Sequence, residues 1–222
     1  MQAEAHLVVR CSLQGMAGYR VPAGVGESLF EAKGSLFFGQ ARRVEDEASV
    51  QALLAAARAA HPEANHHAFA YRLGAEGQVA RFSDDGEPGG TAGRPIMEVL
   101  LRESLVDAAV VVPRHFGGTL LGAGGLARAY GGAAAMAVRA AGVAAMHPHV
   151  RLQVTIDYAR LGAVQQEMRR LGLRPPQESY GAQVTLTVVV PCEQCELFRA
   201  RVSDLSAGQA QITAGETVYL PA

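Results

Sequence analysis

Hydrophobic and polar positions along the chain recur with two periods, one of two residues and one near 3.6, and together they predict strands interspersed with helices. Leu7 to Leu13 predict a short strand, followed by extended chain through the turn-rich GYRVPAGVG. From Ser28 to Val44, Phe30, Leu36, Phe37 and Phe38 form a strand-like run that Lys33-Gly34 bends. Glu45-Asp46-Glu47 then supply the acidic first turn of a helix reaching about Ala60, with Val50, Leu53, Leu54 and Ala57 on one face and Pro62 just beyond. HHAFAYRLG and QVARFSD alternate around the Gly74–Gly77 turn and predict a hairpin. Next come the loop DDGEPGGTAGRP, a helix over about 95–103, and the apolar run Ala108–Val112, which reads as a buried strand. A second glycine-rich loop, FGGTLLGAGG, leads into an alanine-rich helix over about 126–141.

The pattern restarts after HPHV at 147–150, which marks a domain boundary between residues 1–147 and 148–222. In the second part, strands at 150–158, 179–190 and 211–220 and helices at 160–171 and 193–205 frame a short strand near 173–178. The order β-α-β-β-α-β is that of the ferredoxin-like split unit. The whole chain reads as α+β.

Composition narrows the function classes. With Lys+Arg 20 against Asp+Glu 21 in 222 residues, no broad basic field attracts nucleic acid, and neither part differs: 13 basic and 14 acidic groups in 1–147, seven of each in 148–222. Lys33 is the one lysine; the other basic residues are arginines. Three cysteines cannot staple a chain of this length, and Glu4, His6 and Arg10 interrupt any leader-like start, so a reducing, cytoplasmic setting is expected. Ala129–Val138 is uncharged but bounded by Arg128 and Arg139, about half of what a bilayer span needs. A buried helix and no membrane association are expected there.

The chemistry-bearing residues concentrate in the two glycine-rich loops. Asp84, Asp85 and Glu87 place three carboxylates within four residues, a pattern suited to a divalent cation or an acid/base pair, or equally to a solvated turn in which Thr91 caps the next helix. GAGGLA at 122–127 satisfies G-x-G-x-x-[GA], but the preceding strand ends some ten residues too early and no acid follows at the required distance. What remains is an amide-rich turn at a helix start, flanked by Arg114 and Arg128, that favours an anion. His66 and His67 fall on opposite faces of a strand, and Cys192 and Cys195 lack the further ligands of a zinc site, so no metal or cofactor is expected and the cysteines read as ordinary buried residues.

DDGEPGGTAGRPI at 84–96 with RHFGGTLLGAGGLARAYG at 114–131 resembles the YigZ/IMPACT family, and Lys33-Gly34-Ser35, Phe37, Phe38 and ANHHAFAYR at 64–72 are similar to its upstream segments. The resemblance implies an amino-terminal domain of the ribosomal protein S5 domain 2-like fold and a ferredoxin-like tail similar to domain V of elongation factor G. It implies a link to translation or RNA and no reaction. Eukaryotic relatives that regulate a translation-factor kinase carry a further amino-terminal domain, so that partner is not carried over. Leu120 stands where the family usually has Lys, His115 for Tyr, Pro113 for an apolar residue and Ala68 for Cys. Without that lysine, an anion site relies on arginines and backbone N–H groups.

The resulting expectation is a non-enzymatic protein that binds structured RNA, the ribosome or a translation factor. Its binding surface is expected at Asp84, Asp85, Gly86, Glu87, Thr91, Gly93 and Arg94 in the first loop, and at Arg114, Gly117, Gly118, Gly122, Gly124, Gly125 and Arg128 around the second. Arg94, Arg114 and Arg128 are the expected phosphate contacts. Two other expectations are a metal-assisted hydrolase built on Asp84, Asp85 and Glu87, and a protein-interaction module using the open face of the carboxy-terminal sheet.

Overall fold

A computed structural model describes residues 17–221, so the strand expected at Leu7–Leu13 lies outside the described residues. The chain divides into two compact units, Tyr19–Met146 and a second containing residues 147–221.

In the first unit, β1 (Tyr19–Pro22) precedes a hairpin of β2 (Gly26–Ala32) and β3 (Ser35–Arg43). The run expected as one bent strand is therefore two strands. Lys33 and Gly34 both take positive φ, 48° and 78°, the geometry of a two-residue hairpin turn that reverses the chain outright. Helix α1 (Glu47–Ala60) begins at Asp46, whose carboxylate accepts the Ser49 N–H at 2.7 Å while Ser49 Oγ accepts the Asp46 N–H. The hairpin β4 (His66–Leu73) and β5 (Val79–Ser83) follows as expected.

After it come α2 (Gly93–Arg102), β6 (Ala108–His115) and α3 (Gly122–Ala141), which starts a turn earlier than its apolar pattern indicates. The strands form one antiparallel sheet in the order β2-β3-β6-β4-β5. Strand alternation gives this sheet two different faces. Phe37, Ala68, Ala70, Val110 and Val112 pack on α2 and α3, whereas Ala109, Val111 and Tyr71 pack on Leu53, Leu54 and Ala57 of α1. β6, central in the order, is buried along almost its whole length.

β7 (Val143–Ile156) runs from one unit into the next. Its residues 143–146 pair with β1 and its residues 149–156 with β9 (Val184–Pro191). The second unit continues with α4 (Tyr158–Arg170), β8 (Gln177–Tyr180), β9, α5 (Cys195–Leu205) and β10 (Gln211–Pro221). Its strand order is β10-β7-β9-β8. Leu152, Val154, Ile156, Leu186 and Val188 on one face pack against Val164, Met168, Phe198 and Val202 of the helices. Gln153, Thr155, Thr185 and Thr187 occupy the other face, with His149 toward its end and no Phe, Tyr or Trp from β7, β8 or β9.

Candidate functional site

Each carboxylate of the first loop is held by the protein itself. Asp84 directly follows β5, and its two oxygens accept the backbone N–H groups of Gly90, Ala92 and Gly93 at 2.8, 2.9 and 2.8 Å. These include the first free donors of α2, so Asp84 caps that helix from eight and nine residues upstream. The cap expected from Thr91 is not formed; its hydroxyl donates to the Pro88 carbonyl at 2.6 Å within the loop. Partial burial opposes ionisation of Asp84, but the three N–H donors outweigh it and hold the carboxyl below its usual range. Asp85, at φ 48°, accepts the His67 N–H at 2.7 Å and pairs with Arg58 at 3.4 Å, and its carbonyl lies 2.8 Å from His66 Nδ1. It ties the loop to β4 and α1.

Glu87 lies deeper. One of its oxygens accepts from both Arg114 and Tyr130, each at 2.7 Å, and the Glu87 and Arg114 side chains are 3% and 7% exposed. Arg114 is thus turned inward from β6, its guanidinium between the rings of Phe37 and Phe116 at 5.5 and 5.4 Å and reaching toward Ser35. It organises the loops, and this burial does not present it as the direct phosphate contact expected of it. Burial, then the Glu87 carboxylate, pushes the Tyr130 phenol far above its usual range, so it remains a donor.

The second loop is pinned at its start and open beyond it. Gly117 donates to Ser35 Oγ at 3.1 Å, Phe116 donates to Asn65 Oδ1 at 2.8 Å, and a Cβ on Gly117 would fall 2.0 Å from the Gly34 carbonyl carbon. Around Gly118, Gly122 and Gly124 a Cβ would meet nothing. Helix α3 starts at Gly122 with no side-chain cap and no acid in its first turn. Lys33 and Arg128 are exposed and make no ion pair among the described residues, while Arg94 pairs with Glu98 at 3.2 Å.

The fold therefore brings both loops and the 33–35 turn together. Glu87 joins Arg114 and Tyr130 across 27 and 43 residues, and Gly34 touches Gly117. Tyr130, Ser35 and Asn65 escape the sequence reading. A polar-tipped aromatic inside an otherwise small-residue helix was the one local sign of Tyr130, and its partner is too distant in sequence to infer.

Among the described residues no group of three or more His, Cys, Asp or Glu is placed to hold a metal ion. Cys192 and Cys195 are buried and not joined as a disulfide. No helix among the described residues is long and apolar enough to cross a membrane.

The similarities to known proteins follow these two units. Residues 33–138, which carry both loops, match the Impact N-terminal domain, and residues 154–209 match a domain of unknown function, DUF1949. IMPACT family member YigZ of Escherichia coli is 32% identical over 90% of this chain and 100% of its own length. IMPACT family member YvyE of Bacillus subtilis is 33% identical over 88% of this chain and 90% of its own. A crystal structure described as that of a hypothetical protein is 32% identical, with a TM-score of 0.64 over 90% of this chain and 98% of that one. Shared along nearly its full length with such relatives, the sequence shows that the chain belongs to the IMPACT family.

Proposed function

We propose that the protein is a non-enzymatic, cytoplasmic binder of structured RNA acting at the ribosome in translation regulation, with the phosphate backbone received on the second glycine-rich loop. The observation that carries this is the division of charge between the loops. The carboxylates of Asp84, Asp85 and Glu87 are taken up by backbone N–H groups, Arg58, Arg114 and Tyr130. The exposed second loop offers backbone donors, an uncapped start of α3, Lys33 and Arg128. Carboxylates engaged in this way are also poorly placed as metal ligands, which favours binding over the hydrolase. The strand order β10-β7-β9-β8 supports a ferredoxin-like second domain over 148–222, and the family supports an S5 domain 2-like fold for 1–147. The outer face of β7, β8 and β9 carries no Phe, Tyr or Trp, and the exposed donors of the second loop favour the first unit as the RNA-facing one.

Filter binding to 30S subunits or to ribosomal RNA, at several salt concentrations, tests this. The expected signal is saturable and weakens with salt along a slope of about one to three neutralised phosphates. Lys33→Ala with Arg128→Ala lowers both affinity and slope; unchanged binding in that variant, or no saturable binding at all, overturns the reading.

A further inference from the structure

The face of the sheet opposite α3 is only partly covered. α1 packs against β4 and β6, and beside it the outward residues of β2 and β3 are left open, Leu29 being 54% exposed. Between α1 and these strands lies a trough of about 600 Å³, in the range of small-molecule sites. Ala56, Ala57 and Ala60 keep its helical wall low, and Val111, Phe38 and Pro113 form apolar floor. At one end His61 lies against the Phe38 ring, with centroids 4.5 Å apart and planes inclined by 33°. His115 closes the group at 5.5 Å from Phe38 and 5.7 Å from His61. Burial, then the neighbouring His115 and His67, hold the His61 imidazole below its usual range, with Glu27 opposing. Phe38 and the His61 imidazole thus form an uncharged ring pair at neutral pH.

The polar groups at the trough are acceptor-rich. Glu27 and Gln40 sit opposite one another on β2 and β3, and the Gln40 amide donates to Glu27 Oε1 at 3.1 Å. The second Glu27 oxygen and the Gln40 carbonyl accept no hydrogen bond among the described residues. Glu27 is the one charged group lining the trough, which favours a donor over a phosphate there. Flat apolar walls, an aromatic ring face and a carboxylate acceptor match a planar heterocycle bearing an exocyclic amine.

We propose that this trough receives one unstacked, amino-bearing nucleobase (adenine, cytosine or guanine) stacked on the Phe38–His61 ring pair, with its amine donating to Glu27. For the source of the base the proposal rests on the RNA-binding reading. His115, at the end of the trough, is followed directly by Phe116 and Gly117 of the second loop, so a single-stranded segment with phosphates on the loop has a short path to it. Uracil presents a carbonyl where adenine and cytosine present the amine, and faces the Glu27 carboxylate unfavourably.

Saturation-transfer NMR on the full chain with free adenosine, cytidine and uridine tests the site without RNA. Transfer to the base protons of adenosine and cytidine is expected, with uridine binding about fivefold or more weakly. Ala60→Phe, on the exposed rim of the trough, abolishes the transfer while the circular dichroism and melting curve stay those of the parent chain. Glu27→Gln collapses the cytidine-to-uridine preference, a change that a merely structural role would not produce. Nucleoside binding without any RNA binding leaves this site standing and removes the loop reading. RNA binding with no nucleoside transfer, or transfer that ignores Ala60→Phe and Glu27→Gln, overturns the site and leaves the loop reading intact.

Discussion

In the loop at 84–93 every carboxylate points back into the protein and closes a gap in it, whereas the loop at 116–125 leaves its later glycines in open space and the first turn of α3 uncapped. Both are rich in glycine and both precede a helix. The difference lies in what satisfies the helix start. Asp84 supplies acceptors to α2, and no side chain does so for α3. One loop is a structural clamp, and its neighbour keeps free donors directed to solvent. Glycine serves close backbone approach at Gly117 and Gly93, a positive φ of 84° at Gly118 and plain exposure at Gly124.

The comparison is broken most severely at the buried pair. Glu87→Ala leaves Arg114 without its carboxylate at a site 7% exposed, and a loss of about 3–5 kcal/mol in urea unfolding is expected. Replacing both partners, Glu87→Met with Arg114→Leu, costs less than the single change, because no charge is then stranded. A single variant as stable as the parent chain would show that the clamp does not depend on this pair.

Asp84→Ala removes the acceptor from three backbone N–H groups and is expected to cost about 2–3 kcal/mol at neutral pH. The folded-state carboxyl titrates below the unfolded value of 3.8. Its contribution is therefore complete above that value and is lost as the pH falls through the lower folded one. Urea midpoints of parent and variant should differ most at pH 5–7 and converge below about pH 3.8. A gap that stays constant into acid would remove Asp84 as the cap.

Single methyl groups sharpen the contrast within the second loop. Gly117→Ala forces a Cβ into the Gly34 backbone and should cost about 1–3 kcal/mol. Gly124→Ala meets nothing, lies in the first turn of α3 and should stabilise by up to about 1 kcal/mol. Equal melting shifts for the two would erase the distinction between pinned and open glycines.

Much of the architecture is legible in the sequence because it is written locally. The alternation in β4 and β5, the apolar stripe of α1 and the order of elements after residue 150 follow from side-chain period alone. The β2–β3 turn is half legible: Lys33-Gly34 marks a bend, but only the positive φ at both positions makes it a full reversal. At the candidate site, local reading picks out the two loops that the fold brings together but misses the partners of their side chains. Arg114 looks like a free cation until the fold brings Glu87 and Tyr130 to it from 27 and 43 residues away. Thr91 looks like the cap of α2 because it is adjacent in sequence, whereas Asp84 reaches the same donors across the loop. Side-chain period carries no information about which distant group answers a buried charge.

The hairpin turn beside Gly117 gives the chain an unusual chemical handle. Lys33 is its one lysine, and it stands exposed on the turn that touches the second loop. An amine-selective dye or crosslinker applied to the intact protein therefore has one side-chain target, already positioned beside the candidate surface. Whatever shields that amine from reagent reports on this corner of the molecule, with no engineered label needed.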